Sequence, residues 1–286
     1  MFLDHLQSTR VVCAHRGARS LAPENTLLAL EKAVACGADC WETDVQTSAD
    51  GELVIFHDDT LERTTDVAEK EEFATRRPWS VDAFTLAELR GLDAGRWFLA
   101  TDPFGTIAAG EVPEADFAAI AAQRIPTLRE ALLATRVRRF PMNLEIKDQP
   151  GKSGDLTIVT KVLELLRETG TEELVLLSSF NHAYLAETRR LNPALPTAAL
   201  VEESHPDELV PYLRRLGVVA YHPDQAISDP ELVRSVTAAG FRVNLWTVND
   251  MERALAFFAA GATAVVTDFP QRLRRALQSL PPHGDG

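Results

Sequence analysis

The sequence predicts a closed barrel of eight parallel β-strands alternating with α-helices, a (β/α)₈ TIM barrel with a small insertion after the second strand. The 286-residue chain is 45% hydrophobic and 25% charged, a composition that excludes a disordered or fibrous protein. Short β-branched runs alternate with amphipathic stretches, and the stretches repeatedly end at a glycine shortly before the next run. An open doubly wound sheet is the alternative fold for this pattern.

The predicted strands are short apolar runs bounded by turn-forming residues. In chain order they are Val11–Ala14, Cys40–Val45, Met142–Ile146, Leu174–Ser178, Thr197–Val201, Val218–Tyr221, Val243–Trp246 and Ala264–Thr267. The glycines interpreted as helix C-caps are Gly37, Gly170, Gly217, Gly240 and Gly261. Between the strands, apolar residues recur at helical spacing, as in Leu27, Leu30 and Val34, which predicts amphipathic helices.

One segment interrupts the alternation. Roughly 95 residues separate the second and third predicted strands, whereas a helix and two loops need far fewer. The segment begins with a strand-like run at 53–58 and continues through sequence rich in Gly, Pro and charged residues. We therefore expect a single barrel domain over residues 1–286, with an insertion at about 59–124 that lies over the barrel mouth.

Charge and cysteine content limit the partners and the compartment. The chain has 42 acidic and 29 basic residues, a formal charge of −13, which disfavours nucleic acid and anionic membrane surfaces as partners. Cys13, Cys36 and Cys40 are odd in number and lack metal-finger spacing, so reduced thiols are expected. The sequence shows neither a signal peptide nor an apolar run of membrane-spanning length, which predicts a cytoplasmic protein without stable membrane insertion. The oligomeric state stays open.

Polar residues cluster where the predicted strands end, which is where a barrel of this type has its active site. Glu42 and Asp44, at i and i+2, project from the same face of the second strand. One carboxylate at a strand end is more often a loop cap or an ion-pair partner than a metal ligand. Several such positions at one end of a barrel instead favour catalysis. These positions are His15 and Arg16, Glu42 and Asp44, His57, and Glu145 and Lys147.

The residue types indicate the chemistry. Three converging carboxylates, Glu42, Asp44 and Glu145, would repel one another unless a cation lay among them. Oxygen ligation without cysteine points to one hard divalent cation, Mg²⁺ or Ca²⁺, with Mn²⁺ a further candidate, rather than to zinc. Two imidazoles, an Arg and a Lys beside such an ion are suited to phosphoryl transfer, in which one histidine removes a proton and the other donates one.

The same residues lie in motifs that resemble the glycerophosphodiester phosphodiesterase family. Four blocks, HRG, PENT, E-x-D-V and FHD-x-x-x-x-R-T-T, occur in order within residues 14–66. Later blocks also fit, and the similarity covers about 260 of the 286 residues. They are LDAG at 92–95, IPTL at 125–128, NLEIK at 143–147, SSF at 178–180, WTVN at 246–249 and VTDFP at 266–270.

The resemblance implies a TIM barrel that hydrolyses glycerophosphodiesters, a small-molecule substrate, to an alcohol and glycerol 3-phosphate. It implies that His15 and His57 are the general acid and base. It further implies that Glu42, Asp44 and Glu145 bind the metal, and that Arg16 and Lys147 hold the phosphate. Direct attack by water and a cyclic phosphate route both stay open.

Two points are left open on the substrate side of the site. Phe180 and Trp246, at strand ends, either pack on the glycerol carbons or simply fill the upper barrel layer. Arg76 and Arg77, in the insertion, are interpreted as residues of a solvated loop rather than as substrate ligands.

Two other functions fit parts of the same pattern. A phospholipase D-like enzyme of the same superfamily would use the same histidines and metal. Secreted enzymes of that type resemble disulfide-stabilised proteins, whereas this sequence shows neither a signal peptide nor paired cysteines. A barrel that binds a phosphodiester without turnover would be expected to lack at least one of the histidines or ligands, and all of them are present here.

Overall fold

The strands close into a barrel in the computed structural model, which describes residues 10–152, 154–155 and 157–279. The outermost parts of the predicted domain, 1–9 and 280–286, lie outside the described residues. The strands are β1 (Val11–Ala14), β2 (Cys40–Thr47), β3 (Leu53–Ile55), β4 (Met142–Ile146), β5 (Val175–Ser179), β6 (Thr197–Val201), β7 (Ala220–Pro223), β8 (Arg242–Leu245) and β9 (Ala264–Thr267). Eight of them are parallel in the order β1-β2-β4-β5-β6-β7-β8-β9, and β9 pairs with β1.

Closure excludes the open-sheet alternative. On one side of β1, Cys13 lies opposite Cys40 of β2, and on the other side Val11 lies opposite Ala264 of β9. Each of the eight parallel strands therefore has a barrel neighbour on both edges, whereas an open sheet leaves two strands with only one neighbour. The predicted (β/α)₈ barrel is confirmed.

Helices connect consecutive barrel strands, and several begin at the caps expected from the sequence. Thr127 forms a capping box with Glu130, and Asp229 caps a helix that begins at Pro230. Their apolar faces pack against the outward-facing strand residues and form the main core. The α-helices are Leu27–Ala35, Leu86–Gly91, Arg96–Thr101, Phe117–Ala121, Leu128–Arg138, Ile158–Thr169, His182–Leu191, Leu209–Leu216, Pro230–Ala238, Met251–Ala259 and Pro270–Gln278.

Strand β7 begins two residues later than the sixth predicted strand. The run Val218–Tyr221 was expected to be the strand, but β7 spans Ala220–Pro223. Gly217 ends the preceding helix with a φ of 74°, and the next two residues lead the chain into the sheet. The two-residue shift brings His222 into the barrel wall, where it lies in register with Leu200.

One further strand, β3, lies outside the ring of eight and runs antiparallel to β2, with Ile55 opposite Val45. It continues the edge of β2 beyond the point where β1 ends. The carbonyl of Glu42 accepts a hydrogen bond from Gly17 N (3.2 Å), and the carbonyl of Asp44 accepts one from Phe56 N (3.0 Å). The run predicted at 53–58 is therefore a short hairpin strand that delivers residue 57 to the barrel mouth.

The insertion at 59–124 consists of short helices and turns with an apolar cluster of its own, packed on β3. Arg76 pairs with Glu88, and Arg77 lies over the ring of Trp79, so both arginines contact the insertion itself. In the described part of the chain, no helix has the length and apolarity needed to cross a membrane. The buried cluster consists of Val54, Phe56, Leu61, Val67, Trp79, Val81, Phe84, Leu89, Leu92, Ala94 and Ile125.

Candidate active site

A cavity of about 510 Å³, partly open to solvent, lies at the carboxyl ends of the barrel strands. Seven of the nine sequence-predicted site residues line it, and the other two, Asp44 and Lys147, contact the lining residues. The predicted residues in the lining are His15, Arg16, Glu42, His57, Glu145, Phe180 and Trp246. The structure thus brings all nine predicted residues to one site.

The loop after β1 folds tightly around the second strand. Arg16 and Gly17 both adopt positive φ, 53° and 80°, which turns the chain back after His15. A Cβ atom at Gly17 would lie 2.7 Å from the backbone carbon of Ala29, so only glycine fits this approach. Arg16 N donates a hydrogen bond to Glu42 Oε2 at 2.8 Å, which ties the turn to the carboxylates.

Three buried carboxylates form the centre of the site. One oxygen each of Glu42, Asp44 and Glu145 lies within 4.8 Å of the others. Burial, together with the charges of the other two carboxylates, raises the pKa of Glu42 well above its ordinary value. Burial also raises the pKa of Glu145, although the Lys147 ammonium at 2.8 Å opposes that rise. Such a group of oxygen ligands costs free energy by itself and is stabilised by a divalent cation.

Asp44 differs from its two neighbours. Burial raises its pKa, but the nearby His57, Lys147 and Arg16 outweigh burial and lower it. Its Oδ2 atom accepts a hydrogen bond from Asn25 Nδ2 at 2.8 Å. Among the described residues, nothing donates a hydrogen bond to its buried Oδ1 atom. An ionised carboxylate with one uncommitted buried oxygen is what a metal ligand requires.

His15 is held by a residue that follows the last strand. Its Nδ1 atom lies 2.7 Å from Asp268 Oδ1, and Asn249 Nδ2 donates to the other carboxylate oxygen of Asp268 at 2.7 Å. Burial and the adjacent Arg16 lower the pKa of His15 to about 4, although Asp268 opposes this shift. With Nδ1 engaged, Nε2 is the ring atom left for proton exchange, and it lies 4.0 Å from Glu42 Oε2.

His57 is held in a similar way from the hairpin side. Its Nδ1 atom lies 2.7 Å from Asp58 Oδ1. The buried Gln46 side chain of β2 donates to three consecutive carbonyls, those of Phe56, His57 and Asp58, at 3.0, 3.1 and 2.8 Å. Both histidines therefore have a fixed backbone and a carboxylate on Nδ1, so that Nε2 remains for chemistry.

Two cations border the carboxylates. Arg16 Nη1 donates to Glu24 Oε1 at 2.7 Å, and its Nε lies 3.7 Å from Asp44 Oδ2. Lys147 Nζ lies 2.8 Å from Glu145 and 3.8 Å from Asp44. Burial lowers the pKa of Lys147, but these two carboxylates outweigh burial and raise it to about 12. Both side chains are therefore charged at neutral pH and available to an anionic substrate.

One side of the cavity is apolar. The rings of Phe180 and Trp246 meet edge to face with centroids 5.5 Å apart, and Leu200 and Val266 extend the same wall. Trp246 Nε1 donates to the carbonyl of His222 at 2.8 Å, which fixes the indole. Both aromatic side chains thus face the cavity from rigid positions.

Sequence reasoning missed several residues of the site. His222 lines the cavity, and burial lowers its pKa to about 3. Its Nε2 lies 2.6 Å from Asn244 Nδ2. The strand was predicted to end one residue before His222, although alternation with the inward-facing Ala220 would have identified it. Asp268 lies in the VTDFP block, but its contact with His15 is not predicted by the sequence. The remaining unpredicted lining residues are Asn143, Ser178, Leu200, Thr247 and Val266.

The fold and the site define a class: a TIM-barrel enzyme with a carboxylate cluster, two oriented imidazoles and two cations at the barrel mouth, a set suited to phosphoric diester hydrolysis. The sequence model described as "Glycerophosphoryl diester phosphodiesterase family" matches residues 15–272. The chain therefore belongs to this family and is an enzyme of that class.

Individual relatives are similar over nearly the whole chain. A glycerophosphodiester phosphodiesterase of Caldanaerobacter subterraneus subsp. tengcongensis is 35% identical over 272 residues, covering 92% of this chain and 96% of the relative. The structure of an Oleispira antarctica phosphodiesterase in complex with the product sn-glycerol-3-phosphate has a TM-score of 0.79 at 32% identity, covering 94% of this chain and 97% of the other. A putative glycerophosphoryl diester phosphodiesterase of Silicibacter pomeroyi has a TM-score of 0.80 at 29% identity, covering 97% of both chains.

Proposed function

We propose that this enzyme hydrolyses glycerophosphodiesters to an alcohol and glycerol 3-phosphate, with one divalent cation bound by Glu42, Asp44 and Glu145 and with His15 and His57 exchanging protons. The observation that carries the proposal is the convergence of three buried carboxylates within 4.8 Å, in a cavity that both histidines line.

The carboxylate cluster fits a hard divalent cation. Its donors are all oxygens, and burial together with the neighbouring carboxylates raises the pKa values of Glu42 and Glu145, a cost that a bound cation would relieve. Mg²⁺ and Ca²⁺ prefer this ligand set, and Mn²⁺ also accepts it. When bound, the cation polarises a phosphoryl oxygen and neutralises charge on the phosphate.

The two imidazoles supply acid and base catalysis. Because Asp268 and Asp58 accept from the Nδ1 atoms of His15 and His57, each ring is held with Nε2 free for the reacting oxygens. One imidazole removes a proton from the attacking hydroxyl or water, and the other donates a proton to the leaving alcohol. The exchange of roles between successive steps is within the chemistry of a histidine pair.

The remaining predicted residues bind the substrate. Arg16 and Lys147, both largely buried and charged, hold the non-bridging phosphate oxygens and stabilise the added charge of the transition state. Phe180 and Trp246 pack against the glycerol carbons. The Oleispira antarctica phosphodiesterase structure is a complex with the product sn-glycerol-3-phosphate, which supports the same product for this enzyme.

We further propose that the chain acts in the cytoplasm as a single barrel domain whose insertion at about 59–124 bears on the alcohol side of the substrate. The buried free thiols of Cys13 and Cys40 support a reducing compartment. The partner is a small-molecule substrate rather than nucleic acid, since the chain carries a charge of −13.

The test is turnover of defined substrates by defined metal forms. The protein is stripped with EDTA, verified as metal-free, and assayed with Mg²⁺, Ca²⁺ or Mn²⁺ on a panel of glycerophosphodiesters, with enzymatic detection of glycerol 3-phosphate. We expect no turnover in EDTA and recovery with at least one cation. Full activity of the verified metal-free protein would refute metal dependence, and release of a product other than glycerol 3-phosphate would refute the proposed cleavage.

A further inference from the structure

Arg63 belongs to the FHD-x-x-x-x-R-T-T block but is not among the residues proposed to bind the metal, bind the substrate or exchange protons. In the structure its guanidinium group bridges two carboxylates with four hydrogen bonds. Nε and Nη2 donate to Asp58 Oδ2 and Oδ1 at 2.6 and 2.9 Å. Nη1 and Nη2 donate to Glu24 Oε2 and Oε1 at 3.0 and 2.6 Å. Both edges of the planar guanidinium are thus used in bidentate pairs, a geometry that a lysine cannot reproduce.

One end of this bridge is rigid. Glu24 lies in the PENT block, its side chain is only 4% exposed, and it also binds Arg16 at 2.7 Å and Arg19 at 2.9 Å. Burial raises the pKa of Glu24, but its three arginine partners outweigh burial and hold the pKa far below the ordinary value. Glu24 is therefore a permanently ionised anchor on the barrel side of the bridge.

The other end of the bridge reaches a histidine of the active site. Asp58 accepts from Arg63 with both oxygens, and its Oδ1 also lies 2.7 Å from His57 Nδ1. The Asp58 side chain is 24% exposed at a loop position, so only its partners keep it from turning toward solvent. The chain of contacts runs from Glu24 through Arg63 and Asp58 to the imidazole.

We propose that Arg63 is a positioning residue: it locks Asp58 against Glu24 and thereby fixes the orientation of the His57 ring. The proposal rests on the role given to His57 under the proposed function. Exposed ion pairs usually contribute little to stability, and the Arg63 side chain is 42% exposed. The effect of Arg63 should therefore appear in turnover and in the state of the His57 ring rather than in the stability of the fold.

The test compares Arg63→Met and Arg63→Lys with a matched control, Arg76→Met. Arg76 lies in the insertion and makes its own ion pair with Glu88, at 2.6 Å, away from the cavity. On sn-glycero-3-phosphocholine with saturating Mg²⁺, we expect Arg63→Met to lower kcat about 100-fold with KM nearly unchanged. Arg63→Lys should recover less than about tenfold of that loss, and Arg76→Met should stay within about twofold of wild type.

A double-variant comparison shows whether Arg63 acts through His57. In the His57→Ala background, adding Arg63→Met should lower kcat by less than about threefold, because the positioned ring is already gone. An equal loss in both backgrounds, full rescue by Arg63→Lys, or a kcat of Arg63→Met within about threefold of wild type would overturn the proposal. If His57→Ala itself kept full activity, the proposed mechanism would fail instead.

An NMR measurement tests the positioning without turnover. The imidazole N–H signal of His57, assigned by its loss in His57→Ala, should be protected from solvent exchange in wild type and in Arg76→Met. In Arg63→Met that signal should be lost or strongly broadened, because Asp58 no longer holds the ring. Retention of the protected signal in Arg63→Met would refute the positioning role, whatever the catalytic result.

Discussion

Glu42→Gln is expected to stabilise the metal-free protein, whereas the similarly conservative Asp44→Asn replacement should destabilise it. One oxygen of each carboxylate lies within 4.8 Å of the others, and two unit charges at that distance repel by about 3.5 kcal/mol at an effective dielectric constant of ~20. Glu42 experiences this repulsion from two carboxylates, partly offset by Arg16. We expect a net gain of about 1–3 kcal/mol in the free energy of unfolding, or a rise of about 2–10 °C in Tm.

The opposite sign for Asp44 follows from its surroundings. His57, Lys147 and Arg16 stabilise its charge, and Asn25 donates a hydrogen bond to it. The neutral amide of Asp44→Asn loses the attraction of the Lys147 and Arg16 charges, so the free energy of unfolding should fall by about 1–3 kcal/mol. Both replacements remove one negative charge from the same cluster, so a general charge effect would shift both in the same direction.

The pH dependence separates the two cases further. Because the folded-state pKa of Glu42 is raised, its penalty is absent below the ordinary carboxyl pKa of about 4.3, grows as the pH rises from there to the raised value, and is constant above it. The advantage of Glu42→Gln should therefore be larger at pH 8 than at pH 5. The folded-state pKa of Asp44 is lowered, so its contribution is present above about pH 4 and lost only in stronger acid. The deficit of Asp44→Asn should be present at both pH values and should not grow from pH 5 to pH 8.

The assay is thermal unfolding in EDTA at both pH values, repeated with excess Mg²⁺, Ca²⁺ or Mn²⁺. Glu187→Gln is the control, since Glu187 lies on the surface in a pair with Arg190. With a bound cation, Glu42→Gln and Asp44→Asn should both be less stable than wild type, because each lacks a ligand. Shifts of the same sign for the two variants in EDTA would refute the electrostatic reasoning.

Three further outcomes test the site. His15→Ala and His57→Ala should each lower kcat by roughly 10²–10⁴. The loss in the double variant should be far smaller than the product of the two single losses. Steady-state rates that show independent, multiplicative losses would contradict a shared step. Lys147→Met should lower kcat by roughly 10–10³ while metal affinity, measured by calorimetry, stays level or rises; joint loss of metal and activity would make the lysine a structural support. Replacing 68–124 with a short loop should change substrate preference in a folded, metal-loaded variant yet preserve cleavage of an activated phosphodiester, and complete loss would reveal a missed catalytic group in the insertion.

The barrel and its catalytic end could be predicted because both depend on local periodicity. Alternate residues of a strand point to the same side, so Glu42 with Asp44, and Glu145 with Lys147, had to face the barrel interior once the strands were identified. Four of the eight barrel strands, including Val11–Ala14 and Met142–Ile146, have the predicted bounds. Glycines at helix C-termini, such as Gly217, mark where each helix ends and the next strand follows.

The partners of the proposed catalytic groups could not be predicted, because most of them come from other parts of the chain. Nothing near His15 indicates that Asp268, 253 residues later, binds its ring. The three hydrogen bonds from Gln46 to the chain around His57 depend on how the β2–β3 hairpin folds, which local pattern does not specify. His222 was missed because its strand begins two residues later than the β-branched run indicates.

Because His57 follows the hairpin strand β3, the orientation of its ring depends less on the completed barrel than the orientation of the His15 ring does. The contacts that orient His57 join residues no more than 39 positions apart, all of them within residues 24–63. The contact that orients His15 exists only after β9 has closed the barrel against β1. Because long-range pairings form late, a local opening of β9 would release the His15 ring from Asp268 before it affects His57. In native-state hydrogen exchange, loss of protection in β9 should therefore coincide with loss of activity while the 40–58 hairpin stays protected.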